Sequence, residues 1–482
     1  MHPPRLPTAT RLGLLAAILI VATLVRAWDL GRLSFWYDEV VSMRLAQAGG
    51  PSNLIRLLGE IDATRAPLHP LLLQGWVRVF GPSEAAGRAF SVVCGVLTVA
   101  LIARIGRLAF NDDATGLWAA GLAAVSPLLV LYSREARMYA WLVLVTCLAW
   151  HELLALRRGN TPVRLALYTL ALVALCYSHP LGLLMTAALG LAMLLNRRAF
   201  GLSWAGWLAP HLAAAVAVGP WLGRYFDHEP ESTVGRQPLK FLLGLPIGFV
   251  GGNFLVLAVF VAVIAYGLIV VRRGDDGRVH VAIDEPVAAR CLILWLTVPP
   301  LILYGYSRVS HPIFGPERYT LFVAPAYLLL LARGIVRLPW LPRLVVAALA
   351  FGLALSTLPG RVYAPDLKAD WRAASVFLRR VDPTATEPIV VVSTDPEKNV
   401  EVETARYYLG PDRLVVPMPE PPDARSIWRT VPPGTRRAWI AIGLRRGEPA
   451  RRLPDEITRD GKPIDFPGLR LVAVSRKPEL PP

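Results

Sequence analysis

Eleven apolar segments leave this chain little choice of architecture. They fall at roughly 12–25, 87–106, 115–131, 138–156, 163–178, 181–196, 205–225, 251–271, 289–306, 319–334 and 343–358. About 17–25 apolar residues let an α-helix cross the hydrocarbon core of a bilayer. Inside that core the backbone must satisfy its own hydrogen bonds, which a helix does. Of 482 residues, 54% are hydrophobic and 18% charged, too apolar for a soluble globular protein. The expected fold class is an α-helical polytopic membrane protein with about eleven transmembrane helices. The first segment also reads as a signal peptide, with Val25-Arg26-Ala27 as a cleavage site. The many spans behind it favour a retained helix, with Arg26 snorkelling at its outer end.

The net charge of +16 is carried mostly by arginine clusters between the spans. Such clusters set topology and do not require a nucleic-acid partner. Arg157-Arg158 with Arg164, Arg197-Arg198, Arg272-Arg273 with Arg278, and Arg333, Arg337 and Arg343 all fall on one side. That side is expected to be cytoplasmic, with the N-terminus, in the inner (plasma) membrane. The outer side then holds 29–86, 133–137, 178–180, 227–240, 307–318 and everything after about 360. Cys94, Cys147, Cys176 and Cys291 lie in or beside apolar segments with no CxxC pair, and read as small core residues.

Residues 1–360 form the expected membrane domain. Its first outer loop, 29–86, is expected to carry membrane-surface helices. One has Val41, Leu45 and Ala48 on one face; another follows the break around Pro67 and Pro70. From 361 to 482 the pattern changes to short β-branched runs at 389–392, 414–416, 439–442 and 469–474, with helical stretches between. Asp370 is a fair N-cap for a helix with Trp371, Ala374 and Leu378 on one face. This predicts a small extracytoplasmic α/β domain.

The polar residues outside the basic loops gather on the outer side. Asp38 and Glu39 follow Phe35, Trp36 and Tyr37 just beyond the first span. Ionisable groups at a membrane edge point to function, and aromatics suit the interface. His69 sits between Pro67 and Pro70. Arg134-Glu135-Ala136-Arg137 and Tyr139 join two apolar spans, where a plain turn would use Gly, Asn or Ser. His179, Arg224, Lys240, His311, Arg318 and Tyr319 complete the set. A carboxylate pair acts as general base or holds a cation, and arginines bind phosphate in bidentate fashion. At a membrane surface these suit group transfer from a lipid phosphate. There is no Walker loop, no GxGxxG after a strand and no HExxH.

Four motifs carry a resemblance: Trp36-Tyr37-Asp38-Glu39, Pro67-Leu68-His69-Pro70-Leu71, Ser133-Arg134-Glu135-Ala136-Arg137-Met138-Tyr139 and Pro316-Glu317-Arg318-Tyr319. Over roughly 10–335 the chain resembles the integral-membrane glycosyltransferases of the GT-C type, family 39/83. That group holds the protein O-mannosyltransferases, the aminoarabinose transferase of lipid A and the Rgt-type lipopolysaccharide transferases. The resemblance implies a polyprenyl-phosphate sugar as donor and an extracytoplasmic acceptor, whether glycolipid, polysaccharide or protein. It implies Asp38 as general base, with Glu39 supporting it or a cation and Glu135 facing the site. Arg137, Arg318, His69, Lys240 and Arg134 would hold the donor phosphate. Tyr37, Tyr139, His179, Arg224, His311 and Tyr319 would line the substrate.

The chain also departs from the pattern. It has Thr64-Arg65-Ala66-Pro67 where the aminoarabinose transferase type has Glu-Lys-Pro-Pro, so an acidic ligand for a divalent cation is missing there. No loop is long enough for the β-trefoil insertion of eukaryotic protein O-mannosyltransferases. Two other readings are a transporter or flippase for lipid-linked sugars and a non-catalytic membrane partner. Transporters tend to show repeats and broken mid-membrane helices, and no repeat is visible here.

Overall fold

The structure, a computed structural model, describes residues 6–62, 64–226, 235–273, 279–315, 317–364, 367–392, 400–418, 424–444 and 457–476. Pro316 and residues 227–234 of the expected outer loops lie outside the described residues. The chain divides into two compact units. One comprises Met1–Leu30, Leu45–Pro82 and Ala86–Val362, the other Gly31–Arg44, Ser83–Ala85 and Tyr363–Pro482.

The first unit is helical, and each of the eleven apolar segments overlaps a helix. Among the described residues, seven helices are long and apolar enough to cross a membrane singly: Thr8–Ala27, Glu84–Phe110, Tyr139–Arg158, Trp204–Tyr225, Pro286–Val309, Glu317–Arg337 and Trp340–Arg361. Two bent helix pairs, Asp113–Val125 with Pro127–Ser133 (60°) and Leu239–Val250 with Phe254–Leu268 (80°), bring the number to nine if each is one broken span, short of the eleven expected. Pro162–Ser178 and Leu181–Leu195 are shorter apolar helices. The chain is a multi-pass membrane protein.

Each bend has a local cause. At 251–253, Gly251 (φ +99°) and Gly252 (φ +101°) take the left-handed region that glycine reaches without penalty. Asn253 then restarts the helix by accepting from the N–H groups of Leu255 and Val256 (3.0 and 3.1 Å). The span expected at 251–271 therefore begins earlier, at Leu239, and its helix ends at Leu268. Residues beyond it form strand β1 (Ile269–Arg273), paired antiparallel with β2 (Val279–Ile283).

At the other bend, Pro127 has no N–H to give the carbonyl four residues back. Arg26 supplies the missing donors. Its Nη1 lies 2.7 Å from the Ala124 oxygen and its Nη2 3.0 Å from the Ala123 oxygen. Arg26 is thus fully buried, contrary to the snorkelling expected at the end of the first span. The four cysteines are free and buried, as expected of core residues.

In the stretch between the first two long spans, helix Tyr37–Ala46 carries the buried Val41 and Leu45 but ends before Ala48. A further helix, Pro51–Ile61, was not legible in the pattern. Helix Leu68–Phe80 follows Pro67 as expected.

The second unit is an α/β domain. Strands β3 (Ile389–Val392), β4 (Val415–Pro417), β5 (Arg437–Gly443), β6 (Thr458–Arg459), β7 (Ile464–Phe466) and β8 (Leu469–Ser475) form one sheet. Its order is β4-β3-β5-β8-β6, with β7 also pairing β8. The β3 pairs are parallel and the β8 pairs antiparallel. Alternation splits β3 between two cores. Ile389 and Val391 pack with Trp371, Ala374, Leu378, Val402 and Ala405 from helices Trp371–Val381 and Val400–Leu409. Val390 and Val392 pack with Ile427, Trp428 and Val431 on the other face. Asp370 caps helix Trp371–Val381, its Oδ1 accepting from the Ala373 N–H at 3.0 Å.

Candidate active site

In the second unit, the stretch carrying Asp38 and Glu39 is stitched to residues more than 300 positions away. Ser34 Oγ donates to Asp370 Oδ1 (2.8 Å) and accepts from the Arg372 N–H (3.1 Å). Tyr408 Oη accepts from the Phe35 N–H (2.6 Å) and donates to Glu84 (2.9 Å). Burial and the Glu84 carboxylate push the Tyr408 phenol above its ordinary value, so it stays the donor. Arg44 pairs with Glu403 at 2.5 Å.

Asp38 and Glu39 open helix Tyr37–Ala46, where the helix dipole favours negative charge. Glu39 has no exposed surface, and its Oε2 accepts from Lys368 Nζ at 2.8 Å. Asp38, its neighbour in sequence, is half-buried. Sequence reasoning missed Lys368. Its partner is 329 positions away, which leaves no local signal in the sequence. Trp36 and Tyr37, with Lys368, Glu401 and Thr404, line a cavity of about 330 Å³ in this unit. Trp36 Nε1 is buried with no hydrogen-bond partner among the described residues.

In the first unit, four separate motifs meet. His69, Glu135, Arg137, Tyr139 and His179 are all buried. Tyr139 and Tyr319 each pack against the His179 ring, with centroids 6.4 Å away in both cases. The Arg318 guanidinium lies over the Tyr319 ring at 5.3 Å. His69 packs edge-on against Phe90 (5.7 Å), which contacts Trp141 (6.2 Å), whose Nε1 donates to Ser178 Oγ (2.7 Å).

Burial, with the nearby Arg137 charge, pushes the His69 imidazole down to about 3. Burial, Arg137 and Arg318 do the same to His179, also about 3. Both rings are neutral at neutral pH, so neither adds positive charge. His179 Nδ1 accepts from the Leu181 N–H at 3.0 Å. Its proton must then sit on Nε2, which is buried with no hydrogen-bond partner among the described residues. His69 Nε2 is in the same condition. Unpaired buried polar atoms are costly and rare, so these two nitrogens make this cluster the candidate site.

Other expected residues stand elsewhere. Arg134 Nη1 donates to the carbonyls of Arg26 (2.7 Å) and Trp28 (2.6 Å), anchoring the end of the first span. Arg224 is exposed and stacks on Trp221 at 4.2 Å. Lys240 is exposed, and His311 is half-buried beside Ser310 (3.1 Å). Among the described residues, no three His, Cys, Asp or Glu side chains converge to hold a metal ion. Glu39, the acidic partner suggested for a cation, faces an ammonium instead.

The same arrangement of elements recurs in solved structures. ArnT from Cupriavidus metallidurans matches with a TM-score of 0.58 at 15% identity, over 97% of this chain and 98% of that one. The fold is that of the GT-C glycosyltransferases. ArnT bound to undecaprenyl phosphate matches equally, with a TM-score of 0.58 and 14% identity over 98% and 99% of the two chains. The oligosaccharyltransferase of Archaeoglobus fulgidus shares the GT-C fold over 86% of this chain and 65% of that one (TM-score 0.55, 12% identity). The arabinofuranosyltransferase AftD from Mycobacteria shares it over 99% and 42% (TM-score 0.57, 15% identity). Residues 64–223 match the family described as dolichyl-phosphate-mannose-protein mannosyltransferase. No curated protein sequence matches the chain.

Proposed function

We propose that this protein transfers a sugar from a polyprenyl-phosphate-linked donor to an extracytoplasmic acceptor. The observation that carries the reading is the GT-C fold along almost the whole chain, shared with an ArnT that binds undecaprenyl phosphate. The His69–Arg137–His179–Arg318 group supports it, since the His179 N–H and two guanidinium groups are donors that suit a phosphate.

In this reading an acceptor hydroxyl attacks the anomeric carbon as the bond from that carbon to the phosphate oxygen breaks. Asp38 takes the hydroxyl proton, and polyprenyl phosphate leaves. A single displacement inverts the anomeric centre. General-base catalysis of this kind is worth about 10²–10⁴-fold. Glu39, held by Lys368, is a positioning residue for the Asp38 turn. Arg137 and Arg318 meet the charge that grows on the leaving phosphate, which is where most of the rate arises. His179 adds a neutral donor. The aromatic and polar lining of the Trp36–Tyr37 cavity favours a sugar-bearing acceptor, which stacks and hydrogen-bonds at once. The N-terminus is cytoplasmic, and the chemistry takes place on the outer side of the plasma membrane.

The test supplies purified protein in lipid with polyprenyl-phosphate hexose, pentose or N-acetylhexosamine and crude envelope glycolipid. Mass spectrometry scores freed polyprenyl phosphate and glycosylated acceptor. Binding of every donor with turnover of none would overturn the reading in favour of a flippase.

A further inference from the structure

The opposite end of the helical unit holds a larger cavity, of about 990 Å³, that the proposed reaction does not use. It opens between helices Thr8–Ala27, Glu84–Phe110, Asp113–Val125, Tyr139–Ala155 and Pro162–Ser178. One wall is apolar, with Leu15, Leu97, Leu101 and Leu148. Its mouth carries Arg11, Arg104, Arg107, Arg158 and Arg164 against only Asp113 and Glu152, an excess of three positive charges.

The two carboxylates are already answered. Asp113 lies 3.0 Å from Arg107 and 3.6 Å from Arg11. Glu152 lies 2.8 Å from His151 Nδ1, and His151 Nε2 accepts from Arg104 Nε at 2.8 Å. That contact uses one of the five N–H groups of Arg104. Arg164 donates to the Ala155 and Gly159 carbonyls (2.8 and 2.7 Å), and the mouth keeps a net positive charge. Meanwhile helix Thr8–Ala27 buries little of itself, with 6% of its apolar window covered. Leu97 and Leu148 remain 51% and 40% exposed.

We propose that this cavity binds an anionic phospholipid from the leaflet at the arginine-rich end. Its phosphate sits on Arg104 and Arg158, and one acyl chain runs along Leu97, Leu101 and Leu148. The charge excess selects an anionic headgroup, as basic pockets between transmembrane helices do on the cytoplasmic side. The leucine wall selects a lipid over a soluble anion, which has no use for it. The bound lipid fills the gap beside helix Thr8–Ala27 and ties that helix to the bundle.

The experiment uses the full chain, delipidated in detergent, and follows native mass spectra and thermal unfolding. Phosphatidylglycerol, cardiolipin, phosphatidylcholine and inorganic phosphate are added separately. The expected result is a one-to-one adduct and a raised Tm with the anionic lipids alone. Arg104→Gln with Arg158→Gln lowers adduct occupancy by about tenfold or more, while Arg197→Gln, which sits over Trp204, leaves it unchanged. Leu97→Trp, which fills the groove without touching the charge, also displaces the lipid. Equal binding of phosphatidylcholine would overturn the proposal, as would the same Tm rise with phosphate alone. So would adducts unaffected in both the arginine and the Leu97→Trp variants. If the arginine variant does not fold, the lipid-class comparison on the native chain decides.

Discussion

Lys368 Nζ lies 2.8 Å from Glu39 Oε2, and Glu39 has no exposed surface. A residue of the terminal domain thus neutralises one member of the acidic pair that follows the first span. Removing one partner of a buried ion pair leaves a charge out of water without compensation, at about 3–5 kcal/mol. Lys368→Met is expected to lower the thermal unfolding temperature clearly. Adding Glu39→Gln should recover most of the loss, because no buried charge then remains. A double variant no more stable than Lys368→Met alone would refute the pairing.

Arg26 gives a second prediction, on stability alone. Its guanidinium feeds the Ala123 and Ala124 carbonyls at a break that Pro127 creates. Arg26→Leu leaves those buried acceptors unmet, at about 1–3 kcal/mol each. Arg26→Lys should not restore stability, since one ammonium lacks the fork that reaches both oxygens. Unfolding temperatures of the two variants in one detergent check this.

The buried histidines predict an acid-side slope. His69 and His179 are held down to about 3 by burial and the neighbouring arginines, while an unfolded histidine titrates near 6.5. The unfolded chain binds more protons between these values. Their contribution to stability is therefore complete above about 6.5 and is lost as pH falls toward 3. His179→Gln is expected to flatten the stability profile over that window. Neither ring should produce a limb in the pH–rate profile between about 5 and 8.

Removing a cationic donor from the buried group should act on turnover. Arg137→Gln is expected to lower kcat by about 10²–10³, the usual cost of one transition-state donor, with a smaller change in KM. Steady-state kinetics with a saturating acceptor separate the two. An equal effect on KM alone would assign Arg137 to uniform binding of the donor.

Much of this was legible in the residues. Most of the eleven apolar runs fell on helices, though 251–271 was misplaced, and the runs at 389–392, 439–442 and 469–474 located strands, because burial imposes its period directly on sequence. Asp370 was readable as a cap for the same local reason. His69, Arg137, His179 and Arg318 were readable as unusual, since charges beside apolar spans are costly. Their meeting in one group was not, because it depends on how helices far apart in sequence pack. Lys368 and the buried Arg26 were hidden for that reason too. The first answers a carboxylate 329 positions away, and the second a kink 97 positions away. Long-range partners leave no periodic trace.

The most direct test of the account is donor turnover by Asp38→Asn beside the native protein, in the same lipid and at the same occupancy of bound donor. The account predicts unchanged donor binding and a loss of polyprenyl phosphate release of about 10²–10⁴-fold. Release at the native rate from Asp38→Asn would contradict it and remove Asp38 from the chemistry.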